Sequence, residues 1–214
     1  MAEATKGTIK VAYYDTEQAG RRPSLLGEIK GTPTIRLYVP KPKQKPADSV
    51  SKKNVLDYQY ERKAADLKRF AEENMPNFLE RIQGTVTKFE EKANKHGLPR
   101  AYVFTSKAKT LALTKYLSTE FRRRMLIAEV HPTKPNQKVL EQFGITDLPA
   151  VLVVPPEENA TPIRYEGDGF KRHKLHSFLS QHALKKKVLP KKKEKEDPPA
   201  DEADKPPTSV KTEL

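Results

Sequence analysis

The apolar positions change rhythm along the chain. Residues 8–14 alternate, with Ile9, Val11 and Tyr13 on one face, and predict a strand. Residues 24–29 carry enough apolar content for about one or two helical turns. A strand follows at 34–39, then a polar, proline-broken basic loop at 40–53. Alternation resumes through Leu56, Tyr58 and Tyr60, so 34–39 and 54–60 read as a hairpin. Helical spacing of Ala64, Leu67, Phe70 and Ala71 predicts a helix over 63–74. Spacing of Phe78, Leu79, Ile82, Val86 and Phe89 predicts a second over 77–95. Beyond Gly97-Leu98-Pro99 the pattern predicts strands at 100–105, 125–130, 150–154 and 162–166. Between and after them it predicts helices at 110–122 (Leu111, Leu113 or Thr114, Leu117, Phe121), 136–143 and 170–184 (Phe170, Leu175, Phe178, Leu179). After Lys187 almost nothing can be buried, and a disordered tail is expected.

Two prolines stand immediately before apolar, β-rich runs. Gly31-Thr32-Pro33-Thr34 leads into Ile35-Arg36-Leu37-Tyr38, and Asp147-Leu148-Pro149-Ala150 leads into Val151-Leu152-Val153-Val154. A proline at the first residue of a strand needs no ladder donor, and it pushes the preceding residue into extended backbone. The prolines are 116 residues apart, and the same offset aligns Ala12 with Ala128, Ile29 with Ile145 and Pro40 with Pro156. Past the hairpin loop the offset shortens: Tyr60-Glu61 meets Tyr165-Glu166 at 105, and Phe70 meets Phe178 at 108. Ordered matches of this kind predict two diverged copies of one unit. The first copy lacks the opening strand and helix that the second has, which suggests the C-terminal part of a longer protein. The expected division is an incomplete first domain at 1–76, a complete second domain at 77–184 and a charged tail at 185–214.

Strand, helix, strand, then Ile-x-x-x-Pro, a hairpin and a final helix resembles the thioredoxin fold. Gly31-Thr32-Pro33-Thr34-Ile35 is especially similar to the protein disulfide isomerase branch of that family. The resemblance implies an α/β fold, one incomplete copy followed by one complete copy, each a central mixed sheet flanked by helices. It implies that Pro33 and Pro149 are cis and that Thr32, Pro33, Leu148 and Pro149 are substrate-binding residues for unfolded or partly folded client proteins. The last four residues, Lys211, Thr212, Glu213 and Leu214, resemble the Lys-Asp-Glu-Leu retrieval signal. They imply a retrieval receptor as partner and the lumen of the endoplasmic reticulum as location, although the first residues lack the apolar core of a signal peptide. The place of the family's redox motif reads Thr105-Ser106-Lys107-Ala108-Lys109.

Composition narrows the chemistry. The 214 residues contain no cysteine, which excludes disulfides, thiolate nucleophiles and cysteine metal sites. No catalytic residue and no cofactor are expected, because thiol–disulfide exchange needs a thiolate. No apolar run approaches the roughly 20 residues of a membrane span, so membrane insertion is not expected. The net charge is +13; nine lysines against seven carboxylates leave +2 in residues 185–214 and +11 in the body. That balance is the basis of an alternative reading, a basic intracellular scaffold for RNA or acidic protein surfaces. The lysine clusters lack stacking aromatics, so nucleic acid is not the favoured partner. Arg122-Arg123-Arg124 suits a helix C-terminus, and Tyr13, Tyr14, Tyr58 and Tyr60 read as strand residues. His173, His176 and His182 have no carboxylate cluster beside them, and no metal is expected. Pro162 directly follows the Asn159-Ala160-Thr161 sequon and argues against its use.

Overall fold

The computed structural model describes residues 1–17, 20, 23–40, 53–157 and 160–188. The strongest elements arise where the apolar run is unbroken. Strand β4 (Arg100–Phe104) and strand β6 (Ala150–Val154) are buried at every position. Such a strand has to be covered on both faces and flanked on both edges. β4 is parallel to β5 (Leu126–Val130) on one side and antiparallel to β6 on the other. β3 (Glu80–Arg81) extends the sheet beyond β5, in parallel, and β7 (Ile163–Arg164) extends it beyond β6, antiparallel. The order β3-β5-β4-β6-β7 makes a five-stranded mixed sheet of thioredoxin-like topology.

Period-2 alternation sends the strand residues to two cores. Tyr102, Phe104, Ala128, Val130 and Leu152 pack with Phe89 of α2 (Thr87–Lys95) and with Val139 and Leu140 of α4 (Gln137–Gln142). Ala101, Val103, Ile127, Val151 and Val153 pack with Leu117 of α3 (Ala112–Glu120) and with Leu175 and Leu179 of α5 (Arg172–His182).

A smaller sheet precedes this one. β1 (Arg36–Pro40) pairs antiparallel with β2 (Lys53–Asp57), and α1 (Ala64–Glu73) follows. The C-terminal end of α1 meets α3, where the Lys115 ammonium donates to the Glu72 carbonyl at 2.9 Å. A cation there adds a donor to a helix-end carbonyl that otherwise accepts from the Met75 amide at 3.4 Å. The turn expected at 24–29 is a single 3-10 turn, Ser24–Leu26.

Four expectations are corrected. Residues 8–14 form no strand: the Ile9 amide turns back to the Thr5 carbonyl, and Val11 and Tyr13 are exposed. Their alternation is genuine, but no described residue offers them a ladder. Residues 77–95 are helical only from Thr87; Glu80 and Arg81 instead pair with Ala128 and Glu129. Gly84 at φ +81° cannot continue a helix from that side. The elements of the five-stranded sheet therefore begin with a strand and a helix, β3 and α2. Of the residues expected on helix faces, Ala64, Leu111 and Phe170 are exposed. Finally, the Tyr58 amide donates to Ile35 as the Tyr165 amide donates to Val151, each at 2.9 Å, so Tyr58 rather than Tyr60 holds in its hairpin the place that Tyr165 holds in the other. The tail at 189–214, with Lys211, Thr212, Glu213 and Leu214, lies outside the described residues, as does Asn159.

Candidate functional site at the end of the sheet

Three strand ends meet at one edge of the large sheet. Phe104, the last residue of β4, is opposite both Val130 of β5 and Ala150 of β6. The residues just beyond them are Thr105, His131 and Pro149, so a loop, a half-buried imidazole and a strand-opening proline share one end. Leu148–Pro149 is cis, as is Thr32–Pro33. Pro149 is exposed and Leu148 half-buried; Thr32 and Pro33 are both exposed. The two pairs head different hairpins in different sheets, and no hydrogen bond, ion pair or ring contact among the described residues joins them.

The 105–111 loop is anchored at both ends. The Thr105 amide donates to the Val130 carbonyl at 3.0 Å, and the Thr105 hydroxyl accepts from the Lys107 amide at 3.2 Å. At the far end, the Thr110 hydroxyl donates to Oε2 of Glu129 at 2.7 Å. Between these anchors Ser106, Lys107, Ala108 and Lys109 are exposed, and neither lysine has an ion-pair partner among the described residues. Between its anchors the loop therefore presents two cations and a hydroxyl.

Glu129 was not singled out from the sequence. Its side chain is 2% exposed, and its Oε2 lies 3.5 Å from the Arg81 guanidinium of β3 and 3.2 Å from the His131 ring. A buried carboxylate requires such partners. It ties β3, β5 and the start of α3 together beneath the loop. The available signal is an acid within the otherwise apolar run Met-Leu-Ile-Ala-Glu-Val. Asn136, 2% exposed, was also missed. It donates to the carbonyls of Ile82 (3.1 Å) and His131 (2.9 Å) and accepts from the Gly84 amide at 2.7 Å. On the opposite face, Tyr102 donates to Glu90 at 3.1 Å, and burial pushes its phenol far above the ordinary tyrosine range.

Two of the three histidines on α5 sit against aromatic rings: His176 is 5.3 Å from Phe121 and His182 is 5.1 Å from Phe178, centre to centre. Among the described residues no three histidines or carboxylates converge on a cation position. Arg122 lies over the Phe78 ring at 4.0 Å. Burial, with Arg123 beside it, lowers the Arg122 guanidinium pKa from its usual value. Among the described residues no helix is long and apolar enough to cross a membrane.

Comparison with known proteins finds likenesses in sequence and in structure. No protein-family model matches the chain. A provisionally named protein disulfide-isomerase of Dictyostelium discoideum is 27% identical over 166 residues, covering 76% of this chain and 37% of that relative. The chain thus spans little more than a third of that protein's length. Among solved structures, the Nicotiana alata thioredoxin NaTrxh superposes with a TM-score of 0.39 at 11% identity, over 50% of this chain and 95% of that one. Zinc-bound human ERp44 gives 0.41 at 8% identity, over 60% of this chain and 33% of that one. In topology the chain is thioredoxin-like, in sequence it is similar to a protein disulfide-isomerase, and it contains none of the cysteines of a redox motif.

Proposed function

We propose that the chain is a redox-inactive client- or partner-binding unit of a protein disulfide isomerase-like protein, acting in protein folding in the lumen of the endoplasmic reticulum. The observation that carries this reading is the end of the large sheet. There the start of β6, at Leu148 and Pro149, stands beside a loop that keeps the redox-motif position but holds Ser106, Lys107 and Lys109. A strand start with backbone available to an extended chain suits peptide recognition by main-chain hydrogen bonds. Without a thiolate the same site has no group to attack a disulfide. The family likeness and the Lys211–Leu214 ending support the compartment.

The test is binding of a permanently unfolded, cysteine-blocked polypeptide, read by fluorescence anisotropy. Leu148→Asp places a charge beside the strand start and is expected to weaken binding about tenfold, which is about 1.4 kcal/mol. Unchanged affinity in a folded Leu148→Asp variant would overturn the assignment of the site. For the compartment, the chain given a secretory leader is expected to be retained in cells. It should be secreted once Lys211–Leu214 are deleted, and equal retention of both forms refutes the retrieval reading. The alternative of a basic RNA-binding scaffold draws on net charge alone.

A further inference from the structure

The small sheet repeats the geometry of one edge of the large one. The Ile35 carbonyl accepts from Tyr58 and the Val151 carbonyl from Tyr165, each at 2.9 Å. Arg36 is opposite Asp57 as Leu152 is opposite Arg164. The Tyr58 hydroxyl donates to the Glu61 carbonyl at 2.5 Å, and the Tyr165 hydroxyl donates to the Gly169 carbonyl at 3.0 Å. Tyr58 packs on Phe70 with ring centres 5.2 Å apart, and Tyr165 packs on Phe178 at 5.3 Å. The residue before each helix has nearly the same backbone, Lys63 at φ −84°, ψ 139° and Lys171 at φ −83°, ψ 144°. On this correspondence β1, β2 and α1 match β6, β7 and α5.

The match exposes a difference. β6 has a neighbour on each edge: β7 on one and β4, antiparallel, on the other. β1 has β2 on one edge, and on the other it pairs with no described strand. Backbone groups of an antiparallel strand alternate between its two neighbours. Ile35 bonds toward β2, so Leu37 and Val39 do as well, while the amides and carbonyls of Arg36 and Tyr38 point to the open edge. Their counterparts, Leu152 and Val154, are the residues that face Tyr102 and Arg100 of β4. Arg36, Leu37, Tyr38 and Val39 are only half-buried, whereas every residue of β6 is buried. The Tyr38 hydroxyl is buried without a hydrogen-bond partner among the described residues.

We infer that the open edge of β1 is a binding site for an extended segment running antiparallel to it, with the chemistry of Arg100-Ala101-Tyr102-Val103-Phe104. That chemistry follows from the strand that fills the matching edge of β6. The occupant is apolar on both faces because β4, which fills the matching edge of β6, is buried at every position, and it is at least five residues long because β4 pairs with β6 over five positions. Its contribution comes from backbone bonds at Arg36 and Tyr38, which continue the β1–β2 sheet. The inference rests on the correspondence of the two hairpins, not on the proposed client-binding role.

The probe is a synthetic peptide of residues 97–107, added to the full chain at about 1 mM, where weak edge pairing becomes populated. The readout is amide hydrogen exchange resolved by residue. The Arg36 and Tyr38 amides are expected to slow at least about fivefold with peptide. The same peptide N-methylated at its central tyrosine should give no protection. Three results overturn the inference: no slowing at saturating peptide, equal slowing with the N-methylated peptide, or slowing that grows with protein concentration and needs no peptide. The last would seat a second copy of the chain on the edge. None of these readouts depends on Leu148 or on a client protein.

Discussion

Asn136 ties three segments at the end of the large sheet, and replacing it gives a sharp test of the structure. In Asn136→Ala the Ile82 and His131 carbonyls lose a donor and the Gly84 amide loses an acceptor, all at a side chain that is 2% exposed. A typical intramolecular bond contributes about 1 kcal/mol net, and a buried group left unpaired costs about 1–3 kcal/mol. Three bonds lost together, with partial relief from water entering the vacated space, give an expected destabilisation of about 3–4 kcal/mol. With a urea m-value of about 1–3 kcal/mol per molar, the midpoint should fall by about 2 M. Far-UV circular dichroism against urea measures it. Asn136→Asp sharpens the argument. The introduced carboxylate keeps an acceptor for Gly84 but turns an oxygen toward two carbonyls, so at neutral pH it should be at least as damaging as alanine. Its folded-state pKa is raised above the unfolded value, so stability returns as pH falls and is lost as pH rises through that folded value. A loss below about 1 kcal/mol for alanine, or an aspartate variant as stable as the parent, would refute the account.

Two other expectations concern the cores. Tyr102→Phe removes the bond to Glu90 and should cost about 1 kcal/mol. Because the native phenol is held above its unfolded pKa, the parent loses stability as pH climbs past about 10; urea midpoints at pH 8 and 11 should converge less in the parent than in the variant, and parallel behaviour would refute burial of the phenol. Amides of β4 should exchange at least about 100-fold more slowly than those of β1 and β2, since β4 is buried between two partners while β2 is mostly exposed. Uniform protection across residues 36–57 and 100–154 would show that the small sheet is as well secured as the large one.

What could be read from the sequence follows from how local each determinant is. β4, β5 and β6 are legible because a predominantly apolar run needs cover on both faces whatever surrounds it, even with Glu129 inside β5. The strand starts at Pro33 and Pro149 are legible because proline constrains its own backbone and that of its neighbour. β3 is not legible: two polar residues, Glu80 and Arg81, form it only because β5 lies alongside, and Phe78, Ile82, Val86 and Phe89 mimic a helical stripe. Residues 8–14 fail in the opposite direction, with the alternation of a strand and no strand to pair with among the described residues. The misaligned tyrosine has a simple origin. Moving a strand by two residues leaves every side chain on the same face, so Tyr58 and Tyr60 are equivalent to the pattern and are separated only by the hydrogen bond to Ile35. Glu129 and Asn136 depend on partners distant in sequence, Arg81 and Thr110 for the first, Ile82 and Gly84 for the second.

The two hairpins separate what a segment specifies for itself from what its neighbours supply. Strand pairing, the tyrosine-on-phenylalanine contact and the backbone entering the following helix are nearly the same in both, and each is set by residues within one segment. Burial is not the same. Val151 and Val153 are fully covered by α3 and α5, and Leu152 by the β4 face, whereas Ile35, Leu37 and Arg36 are half-exposed. Among the described residues this sheet has two strands, and they stay less covered than the strands of the five-stranded sheet. Arg36 shows the consequence: at the position where Leu152 enters the core, its guanidinium instead reaches the Glu28 and Leu26 carbonyls and Asp57. The hairpin thus holds its shape locally while its outer edge keeps the backbone groups of a strand that expects a second neighbour. At the end of the large sheet near Pro149 the β4 neighbour is in place from Ala150 onward, so the open backbone is confined to the residues ahead of the strand, beside the exposed side chains of a loop. The two sites are therefore of different kinds: one offers a partner main-chain pairing, the other a strand start bordered by Lys107, Lys109 and His131.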